Sequence, residues 1–197
     1  MKRYRIFSGV FLAFALALVT GCERDKPHYN GIDVTGAAIG PDFRLLDPDG
    51  KWRSLGEFRG QYVMLFFGFT QCPDVCPTSL ARAAVVRRSL AAEGIPVQVV
   101  FVTVDPERDT PQLMREYTKA FDPSFLGLRG DPKLTRETAA AFRIAYEKVP
   151  TGKSYTMNHT ALTYIFDRQG RPRLAMGHNQ TPEQYADDIR TLKRTGS

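Results

Sequence analysis

Two stretches of the chain are apolar with almost no polar break: residues 62 to 69, YVMLFFGF, and residues 97 to 105, VQVVFVTVD. A strand with one wet face alternates, whereas a continuous apolar run rich in β-branched side chains suits a strand covered on both faces. Between them, residues 77 to 93 carry Leu80, Ala83, Ala84, Leu90 and Ala91 on one side and Arg82, Arg87, Arg88 and Glu93 on the other, the spacing of an amphipathic helix. Gly94 supplies its stop signal.

The same alternation of elements continues. Thr110-Pro111 opens a helix whose Leu113 or Met114, Tyr117 and Phe121 share a face, FLGLRG is short enough for a small strand, and Asp131-Pro132 opens a helix to about Phe142. TALTYIFDRQGRPRLAMG reads as two strands joined by a turn at Asp167 to Gly170, and Thr181-Pro182 then starts a last helix with Tyr185, Ile189 and Leu192 in phase. Ahead of all these, FRLLDPDGKWRSL predicts a hairpin turning at Asp47-Pro48-Asp49-Gly50. This is the order of a thioredoxin. The expected fold is α/β and thioredoxin-like, a central mixed sheet flanked by helices with an N-terminal β-hairpin, in one domain over residues 39 to 197.

The N-terminus follows a different pattern. Lys2, Arg3 and Arg5 precede an apolar stretch from Ile6 to about Thr20, too short for a comfortable membrane span and ending in small residues, so residues 1 to 21 read as a signal peptide. LVTGC resembles a bacterial lipoprotein cleavage site, which makes Cys22 the expected lipidation site and export the expected fate. Residues 22 to 38 are polar and Gly-rich without periodicity, a membrane tether. Losing the leader removes three positive charges from a net +6, and the remaining basic residues are scattered, which excludes nucleic acid as a partner. A domain of the remaining size buries roughly 70% of its unfolded surface and needs no disulfide to be stable.

That leaves Cys72 and Cys76, in FTQCPDVCPTSL, with their sulfurs at the carboxyl end of a central strand and at or just before a helix N-terminus. Ligands of open α/β sheets bind there, and the helix dipole lowers thiol pKa values. The spacing is one residue longer than the redox C-x-x-C. Positions i and i+4 of a helix lie on one face about 6 Å apart, so both sulfurs can converge on a metal or close a disulfide. Of the three histidines, His28 lies in the tether and His178 in a loop after the last strand. His159, in SYTMNHTALTYIF, stands directly before a strand expected beside the cysteine helix, a candidate third ligand.

GFTQCPDVCPTSL, VTVDPERDTPQLMREYTKAF and YTMNHTALTYIFDRQGR, in this order, resemble the Sco/SenC proteins, thioredoxin-like copper chaperones used in assembling the copper A centre of cytochrome c oxidase. The resemblance spans residues 39 to 195. It implies copper ligation by Cys72, Cys76 and His159, with Cu(I) suited to two thiolates and an imidazole, Cu(II) able to use the same trio, and zinc accepting the same donors. It further implies a role for Asp105 in orienting a ligand or meeting a partner, the alternative being a carboxylate that caps the following turn. Family members often carry Asp where this chain has Asn158, next to the imidazole ligand, which puts the orientation of the ring on a different footing. Met157 reads as packing. The implied partners are an oxidase subunit carrying the copper A site, a periplasmic copper donor, a thiol reductase and, through the lipid anchor, the periplasmic side of the bacterial inner membrane. The alternative function is a thiol–disulfide oxidoreductase with Cys72 as nucleophile and Cys76 as resolver; a peroxidase lacks the expected Thr three residues before the reactive cysteine, where Phe69 stands.

Overall fold

The computed structural model describes residues 27–40 and 42–196. The leader expected at residues 1 to 21 and the lipidation expected at Cys22 lie outside the described residues. In chain order the elements are β1 (Ile32–Asp33), β2 (Leu45–Leu46), β3 (Trp52–Arg53), β4 (Tyr62–Gly68), α1 (Val75–Ala92), β5 (Val97–Thr103), α2 (Pro111–Phe121), β6 (Leu126–Leu128), α3 (Pro132–Ala141), β7 (Tyr146–Thr151), β8 (Ser154–His159), β9 (Leu162–Phe166), β10 (Pro172–Gly177) and α4 (Pro182–Arg194). Among the described residues no helix is long and apolar enough to cross a membrane.

Six strands make one sheet in the order β1-β10-β9-β4-β5-β6. β4 runs parallel to β5 and β5 to β6, while β9 pairs antiparallel with β4. The sheet is therefore mixed and has helices on both faces, a thioredoxin-like arrangement. Every residue of β4 is buried, which explains its lack of alternation. Its alternate side chains serve two separate layers. Phe67 meets the ring of Phe142, which follows α3 and also contacts Phe166 and Tyr164. Phe66 turns the other way and stacks on Phe101, and Phe101 meets Tyr117 of α2. The layer formed by Phe66, Phe101 and α1 is the one that holds the cysteines.

Local chemistry fixes the helix ends. Gly94, at φ +67, donates to the Ala91 carbonyl while Ile95 donates to Leu90, a Schellman stop for α1. Thr110, Asp131 and Thr181 each accept from the amide three residues on and are followed by proline, so α2, α3 and α4 start where the sequence signals them.

Four differences from the sequence expectation bear on the site. α1 begins at Val75, so Cys76 lies inside its first turn. The hairpin at residues 43 to 55 forms, but as the two-residue strands β2 and β3 in a sheet of their own, bridged to the body by Leu46 and Arg129. The far end of the expected tether belongs to the domain: Ile32 and Asp33 pair with Ala175 and Leu174 as an edge strand, and the buried carboxylate of Asp188 accepts from the amides of Asn30 and Gly31. Finally, β7 and β8 form an unanticipated hairpin outside the main sheet, turning at Gly152, whose φ of +60 a side chain would strain.

Candidate metal centre

β4 ends at Gly68, and the chain crosses from Phe69 to Cys72 before entering α1. Glycine is required at the strand end: a Cβ there would stand 2.8 Å from both the Cys76 sulfur and the Phe101 ring. Cys76 is fully buried under this close approach, whereas Cys72, just before the helix, is half-buried. The Cys72 sulfur receives the amide of Cys76 at 3.5 Å, one of the unpaired N–H groups of a helix start. Both cysteines are free thiols.

His159 is the last residue of β8. Strand alternation sends Tyr155, Met157 and His159 to one side, and Met157 is buried in the core. The imidazole stands edge-on to the rings of Phe66 and Phe69, with centroids 6.1 and 5.9 Å away. Its Nδ1 lies 3.0 Å from the Thr160 carbonyl. A carbonyl only accepts, so Nδ1 carries the proton and Nε2 is presented to the sulfurs. Nε2 lies 3.6 Å from Cys76 Sγ, and the ligand atoms of Cys72, Cys76 and His159 all fall within 4.8 Å of one another.

The two thiols are electrically unequal. A hydrogen bond from the Cys76 thiol, aided by the amides of Asp74 and Cys76, holds Cys72 well below the ordinary thiol range despite partial burial. The same hydrogen bond, with burial, pushes Cys76 up. The pair shares one proton, and the outer sulfur is the thiolate.

The residues expected around the cluster separate into two groups. Asp105 is 1% exposed and turns to Arg108 and Tyr155 rather than to a sulfur or the imidazole: Tyr155 Oη donates to it at 2.9 Å and Arg108 Nε pairs with its other oxygen. The following turn is held by the Asp105 main-chain carbonyl, so the carboxylate does not cap it. Asn158 is exposed and donates to Glu147 across the hairpin at 3.2 Å, on the opposite side of β8 from the imidazole. Its place beside His159 in the chain does not put it beside the ring, whose Nδ1 is engaged by Thr160 instead. His28 and His178 are both exposed, and neither belongs to the group of converging ligand atoms.

Sequence reasoning did not single out Asp109. It is fully buried and accepts from the Thr70 amide, the Thr70 hydroxyl and the Thr103 hydroxyl, tying the cysteine loop to the end of β5. The only signal in the sequence is a second aspartate in DPERDT.

A thioredoxin-like domain that gathers two thiols and an imidazole where its central strand meets a helix is defined by that junction. The chain belongs to the SCO1/SenC family, whose profile matches residues 33–194. It is 40% identical over 180 residues to the mitochondrial SCO2 homolog of Homo sapiens, covering 89% of this chain and 68% of that protein. The structure of ScoI from Bradyrhizobium japonicum with copper bound is 43% identical, with a TM-score of 0.70, covering 78% of this chain and 98% of that one. The structure of ScoI from Arabidopsis thaliana with copper bound is 32% identical, with a TM-score of 0.76, covering 80% and 99%.

Proposed function

We propose that the protein is a lipid-anchored copper chaperone that carries one copper ion on Cys72, Cys76 and His159 and delivers it to the copper A site of cytochrome c oxidase, on the periplasmic side of the bacterial inner membrane. The observation that carries this reading is the convergence of two sulfurs and one imidazole nitrogen within 4.8 Å, in a family with solved members described as copper-bound. The donor set suits Cu(I), a soft cation that favours thiolate and imidazole, and three protein ligands leave room for exchange with an acceptor's ligands. Cu(II) can use the same donors with an added oxygen ligand. Cys22 is the proposed anchor and the residues after it the tether.

Only the dithiol form offers two sulfur ligands. Joining the Cys72 thiolate and the Cys76 thiol in a disulfide releases two electrons and one proton to an oxidant, and in the exported compartment a dedicated thiol reductase returns them before copper is loaded from a periplasmic donor.

A second reading is favoured by the inequality of the thiols. A half-exposed Cys72 thiolate over a buried, protonated Cys76 is the arrangement of a nucleophile and its resolving partner, as a thiol–disulfide oxidoreductase uses them. Such an enzyme would act on cysteines of the oxidase subunit or of another exported protein.

Anaerobic Cu(I) titration of the reduced full chain against a competing chelator separates the two. One tight equivalent is expected, weakened by His159→Ala by more than the roughly 10- to 100-fold that losing a mere orienting partner costs, and abolished when both cysteines become serine. Disulfide exchange by His159→Ala is expected to persist. Wild type competing no better than the double serine variant would leave the oxidoreductase.

A further inference from the structure

The hairpin that carries His159 stands outside the main sheet, and β7 is exposed at every position after Tyr146. An isolated two-stranded hairpin is marginal in water, so something else must hold it against the body. The loop at residues 105 to 110 meets it from the side. Arg108 Nη1 donates to the Tyr155 carbonyl at 2.7 Å, and its guanidinium lies 3.7 Å from the centre of the Tyr155 ring. Tyr155 Oη returns a bond to Asp105, which pairs with Arg108 and closes a three-residue ring of contacts. Lys148 adds an ion pair to Glu107 at 2.6 Å and lies 4.8 Å from the same tyrosine ring.

The other end of this loop is fastened elsewhere. Asp109 holds Thr70 of the cysteine loop, and Arg129 grips the carbonyls of Pro106 and Asp109. One short loop is thus bonded to both halves of the cluster, the sulfur-bearing loop on one side and the imidazole-bearing strand on the other.

We infer that the loop at residues 105 to 110 is a strut, and that Arg108 and Tyr155 are positioning residues that fix the histidine strand relative to the two sulfurs. They touch neither sulfur nor imidazole and act through β8, whose inward side places Tyr155, Met157 and His159 in one row. Arginine suits the position because its planar fork reaches the carboxylate, the main-chain carbonyl and the ring at once; lysine offers a point charge. The affinity consequence rests on the copper reading, whereas the fastening of the hairpin does not.

The test pairs two measurements on the full chain. In the copper-free reduced protein, amide hydrogen exchange is followed in wild type, Arg108→Ala and Tyr155→Phe. Arg108→Ala is expected to speed exchange across residues 146–159 while β4 and α1 keep their protection. Tyr155→Phe, which keeps the ring under the guanidinium, is expected to do so less. Cu(I) competition then forms a double-mutant cycle. Arg108→Ala is expected to weaken binding about tenfold in wild type, as loss of an orienting contact around a metal ligand does, and to change it less than about twofold once His159 is Ala. Unchanged exchange in the hairpin overturns the strut. An undiminished Arg108 effect without His159 overturns the route through the imidazole. If wild type binds no copper, the chaperone reading fails, and the exchange measurement still decides the strut.

Discussion

Asp109 and Thr70, 39 positions apart, are joined through both the amide and the hydroxyl of the threonine, and the carboxylate that receives them is fully buried. The contact ties the end of one loop to the approach to Cys72, two residues on. Asp109→Ala would leave these donors and the Thr103 hydroxyl without their acceptor in a dry site. The expected cost is about 2 to 4 kcal/mol in denaturant unfolding. Wild-type stability in this variant would mean that water replaces the carboxylate.

Cys72 should behave as a thiolate far into acid. Its folded pKa lies below the ordinary thiol value, so the stabilisation it contributes is full above that ordinary value and falls away as pH drops toward the folded one. An ordinary thiol of pKa about 8.5 loses roughly 200-fold of its thiolate between pH 8 and pH 5.5. Alkylation of the reduced, copper-free protein by iodoacetamide should instead slow by less than about twofold over that range, with Cys72 labelled and Cys76 spared. A full thiol-like decline, or equal labelling, would refute the unequal pair.

Gly68→Ala tests the close approach beneath Cys76. The added methyl would need the space of the sulfur and the Phe101 ring, so one of them must move. A loss of about 1 to 3 kcal/mol in unfolding free energy is expected from overpacking, together with weaker Cu(I) competition. Retention of both would show that α1 can shift outward at no cost.

Asp188→Ala tests the N-terminal edge. Its carboxylate accepts from the amides of Asn30 and Gly31 and from the Asn30 side chain. Removing it should speed amide exchange at residues 30 to 34 and lower the melting temperature by a few degrees, about 1 to 3 kcal/mol for a buried charged acceptor. Unchanged exchange there would mean that pairing with β10 suffices.

The parts legible in the sequence were those whose stabilisation is local or two-sided. β4 and β5 announced themselves because both faces are covered, and α2, α3 and α4 because a capping side chain and a proline mark each start. The cysteine pair was legible from its spacing and its address at a strand end. The β7–β8 hairpin was not, because Glu147, Lys148, Val149, Pro150 and Thr151 are all exposed and carry no apolar period; only Gly152 and the alternation of Tyr155, Met157 and His159 hint at it. β1 is two residues long and depends on Asp188, far along the chain. Asn158 shows the limit of adjacency: neighbours on a strand face opposite ways.

β1 runs antiparallel to β10, with Ile32 opposite Ala175, so the chain ahead of it passes Gly31, beside Met176, and Asn30, whose carbonyl is held by Gln180. By the strand registers this is the end of the sheet where β4 finishes and β9 begins, the end at which the two sulfurs and the imidazole gather. Asn30 therefore lies at the same pole of the domain as the cluster, and the anchor proposed at Cys22 would draw that pole toward a membrane rather than the one bearing Gly94 and Gly170.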